Sequence, residues 1–76
     1  MTLPNNIILS NAIKSLTDVD FIINGMPETE KEISENVKWI VGEDSIERAI
    51  YGDNNAVTWA QIKTKYDELK AIEEAK

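Results

Sequence analysis

Thr29-Glu30-Lys31-Glu32-Ile33-Ser34-Glu35-Asn36-Val37-Lys38-Trp39-Ile40-Val41-Gly42 carries two kinds of signal at once. Thr29 with Glu32 three residues later forms a capping box, and Glu30 and Glu32 complement the positive end of a helix dipole. Ile33, Val37, Ile40 and Val41 then make an apolar stripe at helical spacing, and Gly42 stands where a left-handed stop is wanted. Val37 to Val41 could equally be a strand on residue type, being β-branched and aromatic. Two end signals at the right separation favour a helix over 30–41, and that is the expectation taken forward. Trp39 falls off this stripe, so it either closes the core from the side or is displayed.

Downstream, Thr58 and Gln61 form a second capping box. Trp59, Ile62, Tyr66 and Leu69 repeat at 3, 4 and 3 residues behind it, with Ile72 alongside. A helix over 59–74 follows, with the seam spacing that seats one helix on another. Glu73 and Glu74 oppose its dipole, so its last turn should fray unless something docks there. Upstream, Pro4 sets an extended lead-in, Asn5 offers an N-cap, and Ile8, Leu9, Ala12, Ile13 and Leu16 form a stripe for a helix over 6–16.

Between these helices the signals are extended. Residues 18–24 alternate, with Val19 and Phe21 inward and Asp18 and Asp20 outward, and suggest a short strand. Asn24-Gly25 usually marks a tight hairpin, but Met26-Pro27-Glu28 cannot be its second strand, so a loop into the next helix fits better. Residues 43–57 allow either a short helix capped by Asp44 or a hairpin. In the favoured hairpin, Arg48–Tyr51 and Ala56–Thr58 are joined by Gly52-Asp53-Asn54-Asn55. The expectation is a single small α+β domain over residues 1–76. It is mainly helical, with about three amphipathic helices and one or two short strand pairs.

The 76 residues include neither Cys nor His. Thiolate chemistry, the commonest general base and the commonest transition-metal ligand are therefore unavailable. Ser10 and Ser34 have no imidazole to activate them. Asp18 and Asp20 share a strand face, but a carboxylate pair needs an enclosed cleft to split its pKa values, and a chain this small has little room for one. Asp53-Asn54-Asn55 begins like a calcium loop, yet Val57 and Thr64 fill positions that need oxygen ligands and a final Glu. The three glycines are isolated, so no phosphate cradle forms. The expectation is no enzyme, no metal and no cofactor.

Charge is uneven. Residues 28–47 hold Lys31 and Lys38 against Glu28, Glu30, Glu32, Glu35, Glu43, Asp44 and Glu47, most of the chain's net −6. Such a segment repels a phosphate backbone, and one Arg is too few for bidentate phosphate contacts, so nucleic acid is not an expected partner. Ile7-Ile8-Leu9 is too short for a signal peptide or a membrane span, which predicts a soluble chain made in a cytoplasm. A domain of this length should not bury the Ile33–Val41 stripe, the 59–69 stripe and Trp39 together. The expected protein-contact surface is therefore Trp39, Trp59, Ile62, Tyr66 and Leu69.

The run Trp39-Ile40-Val41-Gly42-Glu43-Asp44, then Ala49-Ile50-Tyr51-Gly52-Asp53, then Val57 to Leu69, resembles small proteins of marine tailed phages, cyanophages above all. Asn11 to Leu16 is similar to their opening helix. The resemblance implies a small virion or tail-assembly-chaperone-like protein. It would bind other phage structural proteins or copies of itself, and be located in the host cytoplasm during infection and in the virion. The competing expectation is an acidic adaptor or inhibitor that meets a host protein through residues 28–47.

Overall fold

The computed structural model describes residues 3–76, which form three helices and three strands in the order α1 (Asn5–Leu16), β1 (Asp20–Ile23), α2 (Glu30–Asn36), β2 (Val37–Glu43), β3 (Ala49–Gly52) and α3 (Trp59–Glu74). The strands make an antiparallel sheet in the order β1-β2-β3. The fold is α+β, with the helices packed against one face of the sheet.

Helices α2 and α3 start where their local chemistry says. At α2 the Thr29 hydroxyl accepts from the Glu32 amide at 3.1 Å, and the Glu32 carboxylate accepts from the Thr29 amide at 3.3 Å. At α3 Thr58 and Gln61 do the same at 3.1 and 2.8 Å. Helix α1 begins one residue early, with extended Pro4 at the cap position and Asn5 already helical. The Asn5 side chain instead donates from Nδ2 to the Glu28 carboxylate at 2.7 Å, which ties α1 to the loop before α2.

Helix α2 is shorter than the sequence suggests. It stops at Asn36, and Val37–Glu43 is the central strand, so the expected helix over 30–41 is corrected in its second half. The reason is nonlocal. As strand, Val37–Ile40 pairs with β1, and Trp39 and Ile40 pair with β3 as well, with Phe21 opposite Trp39 on β1 and Gly52 opposite Trp39 on β3. That ladder satisfies the backbone and points Val37 and Trp39 inward together while Lys38 stays out. Asn36 marks the switch, its side chain donating to the Glu32 carbonyl at 2.8 Å and its own carbonyl accepting from the Asn24 amide at 2.9 Å. Gly42 lies within the strand and stops no helix.

The hairpin expectation for 43–57 is half corrected. Ala49–Gly52 is a strand, but its partner is β2, and Ala56–Thr58 forms none. Asp44 builds the actual turn: its carboxylate accepts from the amides of Ile46 and Arg48 at 3.0 and 2.9 Å, and Glu47 takes the left-handed conformation at φ 62°. Those amides, Arg48 first, hold the Asp44 carboxyl below its usual pKa, with the Arg48 side chain adding to them at 3.2 Å. Asp53 to Asn55 is the lead into α3, pinned by Asn54, which donates to the Thr17 hydroxyl at 3.2 Å. A loop runs from Gly25 (φ 68°) into α2, in place of a tight hairpin.

Ile8, Leu9, Ala12 and Ile13 of α1, Ile33 of α2, Val37 and Trp39 of β2, and Ile62 and Tyr66 of α3 make one buried core. Val19, Phe21, Ile23, Val57, Trp59 and Leu69 pack partly buried around it. The molecule is elongated at 46 × 24 × 20 Å. A sixteen-residue helix such as α3 spans only about 24 Å, and all of β3 is exposed, so the β2–β3 hairpin reaches beyond the helical layer as an arm.

Candidate protein-contact surface

The five residues expected to display a contact surface are brought together by the fold, but most of them face inward. Trp39 is 5% exposed, Tyr66 1% and Ile62 0%; Trp59 and Leu69 are half-buried. The expectation that the chain could not bury both stripes and Trp39 is corrected only in part: Trp39, Ile33 and Val37 are buried, but Ile40 is half-buried and Val41 is exposed. With Val37–Val41 as strand, the sheet turns Trp39 onto the N-terminal end of α3, where its ring stacks on Trp59. Ile33 and Val37 of the first stripe thus share one core with Ile62 and Tyr66 of the second.

Exposed apolar surface lies elsewhere: Leu3, Ile7, Leu16, Met26 and Ile72 are spread over the helices and loops, and four more such residues stand on the arm. Val41, Ile46, Ile50 and Tyr51 are all exposed, Ile46 most of all at 64%. The pairing pattern sorts three of them by face. Tyr51 sits opposite Ile40, so those two share the outer face. A β-bulge between Ile40 and Gly42 makes Val41 the extra residue. A Cβ on Gly52 would come within 2.9 Å of the Val41 side chain, so Val41 lies on the Gly52 face, as does Ile50 two residues earlier. Both faces of the arm therefore carry large apolar side chains. The sequence held the signal for this in the β-branched run of β2 and in Ile50-Tyr51, but Ile46 gives none, because its exposure follows from the Asp44 turn.

Asp18 and Asp20 line an open hollow with Ile40, Val41 and Glu43, which is not the enclosed cleft that acid–base pairing would need. Among the described residues, no group of three or more His, Cys, Asp or Glu is placed to hold a metal ion. No helix among them is long and apolar enough to cross a membrane. The C-terminal turn of α3 is anchored: Glu73 accepts from the Leu3 amide at 3.0 Å and from Lys76 at 3.2 Å, and these contacts, Lys76 first, hold its carboxyl below its usual pKa. Compared with protein-family models, with curated proteins and with solved structures, the chain matches none.

Proposed function

We propose that this chain is a non-enzymatic protein-contact module, a structural or assembly component of a tailed phage that engages other phage structural proteins or copies of itself. The observation that carries the contact role is the arm. Val41, Ile46, Ile50 and Tyr51 stand in solvent on a hairpin beyond a core that is already closed. Apolar side chains gathered in this way mark interaction sites in soluble proteins, whereas scattered ones need no explanation. The phage origin rests on the resemblance of residues 39–69. Mass spectrometry of purified particles of the encoding phage tests it, and the expected result is this chain at a fixed stoichiometry. Particles that lack the chain would remove the virion role.

A second reading is favoured by the exposed carboxylates Glu28, Glu30, Glu32 and Glu35 at and around α2, which suit an acidic adaptor for a host protein. Charge reversal on α2 separates the two readings: Glu30→Lys/Glu35→Lys weakens binding through the α2 carboxylates and leaves contact through the arm unchanged.

A further inference from the structure

We propose that β3 is an open docking edge that accepts an extended, basic segment of another protein as a fourth strand; this rests on the contact role given to the arm and names the chemistry of its partner. Among the described residues β3 ends the sheet, and all four of its residues are exposed. Edge strands are normally protected by a charge, a proline or a covering element. Ala49-Ile50-Tyr51-Gly52 has neither charge nor proline. The opposite edge, β1, differs: it carries Asp20, and Phe21, Ile22 and Ile23 are half-buried. An added strand would extend the backbone ladder and lay its alternating side chains beside Ile50 on one face and beside Tyr51 on the other.

Charge selects the occupant. Glu43 lies opposite Ala49, Asp44 and Glu47 lie in the turn before β3, and Asp53 follows it. Of the cations near the edge, Arg48 is already paired with Asp44 at 3.2 Å, and Lys38 lies on β2, one residue before the Trp39–Gly52 pair. The edge is thus flanked at both ends by carboxylates, which complements Lys or Arg at the two ends of an incoming strand.

A second copy is a poorer fit, for a geometric reason. A two-fold axis that makes two β3 strands antiparallel neighbours runs perpendicular to the sheet, so the pairing must centre on a residue and its own image. Centred on Ile50, it sets Glu47 against the second copy's Asp53, a like-charge pair. Centred on Tyr51, it sets Arg48 against the second copy's Asn54 and Asp53 against Ala49. Neither register gives Arg48 a carboxylate or Asp53 a cation.

The test titrates the isotopically labelled full chain with a capped peptide, Lys-Val-Thr-Val-Thr-Val-Lys, and follows backbone amides by NMR. Controls carry Glu in place of both Lys, or N-methyl groups on alternate amides so that one edge cannot pair. The Lys peptide should shift the amides of 48–53 and bind at least about tenfold tighter than the Glu peptide at low salt. The peptide methylated on its pairing edge should not bind, and the double variant Glu47→Lys/Asp53→Lys should prefer the Glu peptide. Equal binding of the two peptides, no binding, or shifts confined to other elements would overturn the proposal. So would concentration-dependent shifts at 48–53 without peptide, which would make a second copy the occupant. These failures leave the contact role standing if Ile46→Ser/Tyr51→Ser still removes the chain from particles. Loss of that effect would sink the contact role itself.

Discussion

The indole rings of Trp39 and Trp59 stack with centroids 5.7 Å apart and planes 21° from parallel. Phe21 meets Trp39 edge-on, with centroids 6.1 Å apart and planes at 75°. Three aromatics from β1, β2 and the first turn of α3 therefore clamp the sheet to the helix whose start is set by the Thr58 cap. The clamp closes the core near the base of the arm.

Trp39→Ala should cost about 3–5 kcal/mol, the usual range for truncating a buried Trp. A chain of this length has a total stability of roughly 4–11 kcal/mol, so the variant should be marginally folded or unfolded. Trp59→Ala should cost less, because Trp59 is half-buried. A double-mutant cycle between the two should return a coupling of about 0.5–1.5 kcal/mol from the stack. Urea unfolding followed by far-UV circular dichroism measures all three. Full stability in Trp39→Ala would place the ring outside the core.

Thr58→Ala should destabilise by about 1 kcal/mol, because it removes the acceptor for the Gln61 amide and breaks the reciprocal bond pair. Thr58→Ser keeps the oxygen and should stay within a few tenths of a kcal/mol of the parent, roughly the spread among good cap residues. The unfolding midpoints of the two variants should therefore separate. Identical midpoints would mean that the cap contributes nothing to holding α3.

The elements legible in the sequence are those whose boundaries are local. The two capping boxes read correctly because a cap is made by residues three apart, and they place the starts of α2 and α3. The end of α2 was not legible. Val37, Ile40 and Val41 satisfy a helical stripe as well as a strand, and the choice is made by β1 and β3, which lie elsewhere in the chain. The same holds for β3, whose strand character reads from Ile50-Tyr51 while its partner does not. The burial of Trp39 was not legible for the same reason: once Val37–Val41 is a strand, Trp39 turns inward while Val41, Ile50 and Tyr51 are displayed.

Glu73 gives the fold a defined acid sensitivity. Its carboxylate is held below its ordinary pKa by Lys76 and then by the Leu3 amide. A depressed native pKa means that the unfolded chain binds the proton more readily, so this contribution is complete above the ordinary glutamate value of 4.5 and fades as pH falls through the lower native one. Glu73→Gln should flatten the acid limb of the stability curve below pH 4.5. It should also loosen the chain at Leu3, visible as faster amide exchange there. An acid limb unchanged by the substitution would show that Glu73 bears no linked proton.

Tyr66 supplies the last prediction, because its ring and its hydroxyl have opposite effects. The ring is buried in the core, and the Lys63 and Lys70 ammonium groups lie 5.5 and 5.7 Å from its centroid. The hydroxyl is equally buried and has no hydrogen-bond partner among the described residues. An unpaired buried polar group costs about 1–3 kcal/mol, while the ring's packing and its cations do not depend on the oxygen. Tyr66→Phe should therefore fold with stability equal to the parent or up to about 1 kcal/mol higher, taking the lower end of that penalty. Tyr66→Ala should lose about 3–5 kcal/mol, as for other large aromatics cut from a core. Thermal and urea unfolding of the pair separate the two contributions. A clear loss in Tyr66→Phe would mean that the hydroxyl makes a bond in solution and belongs to a polar site inside the core.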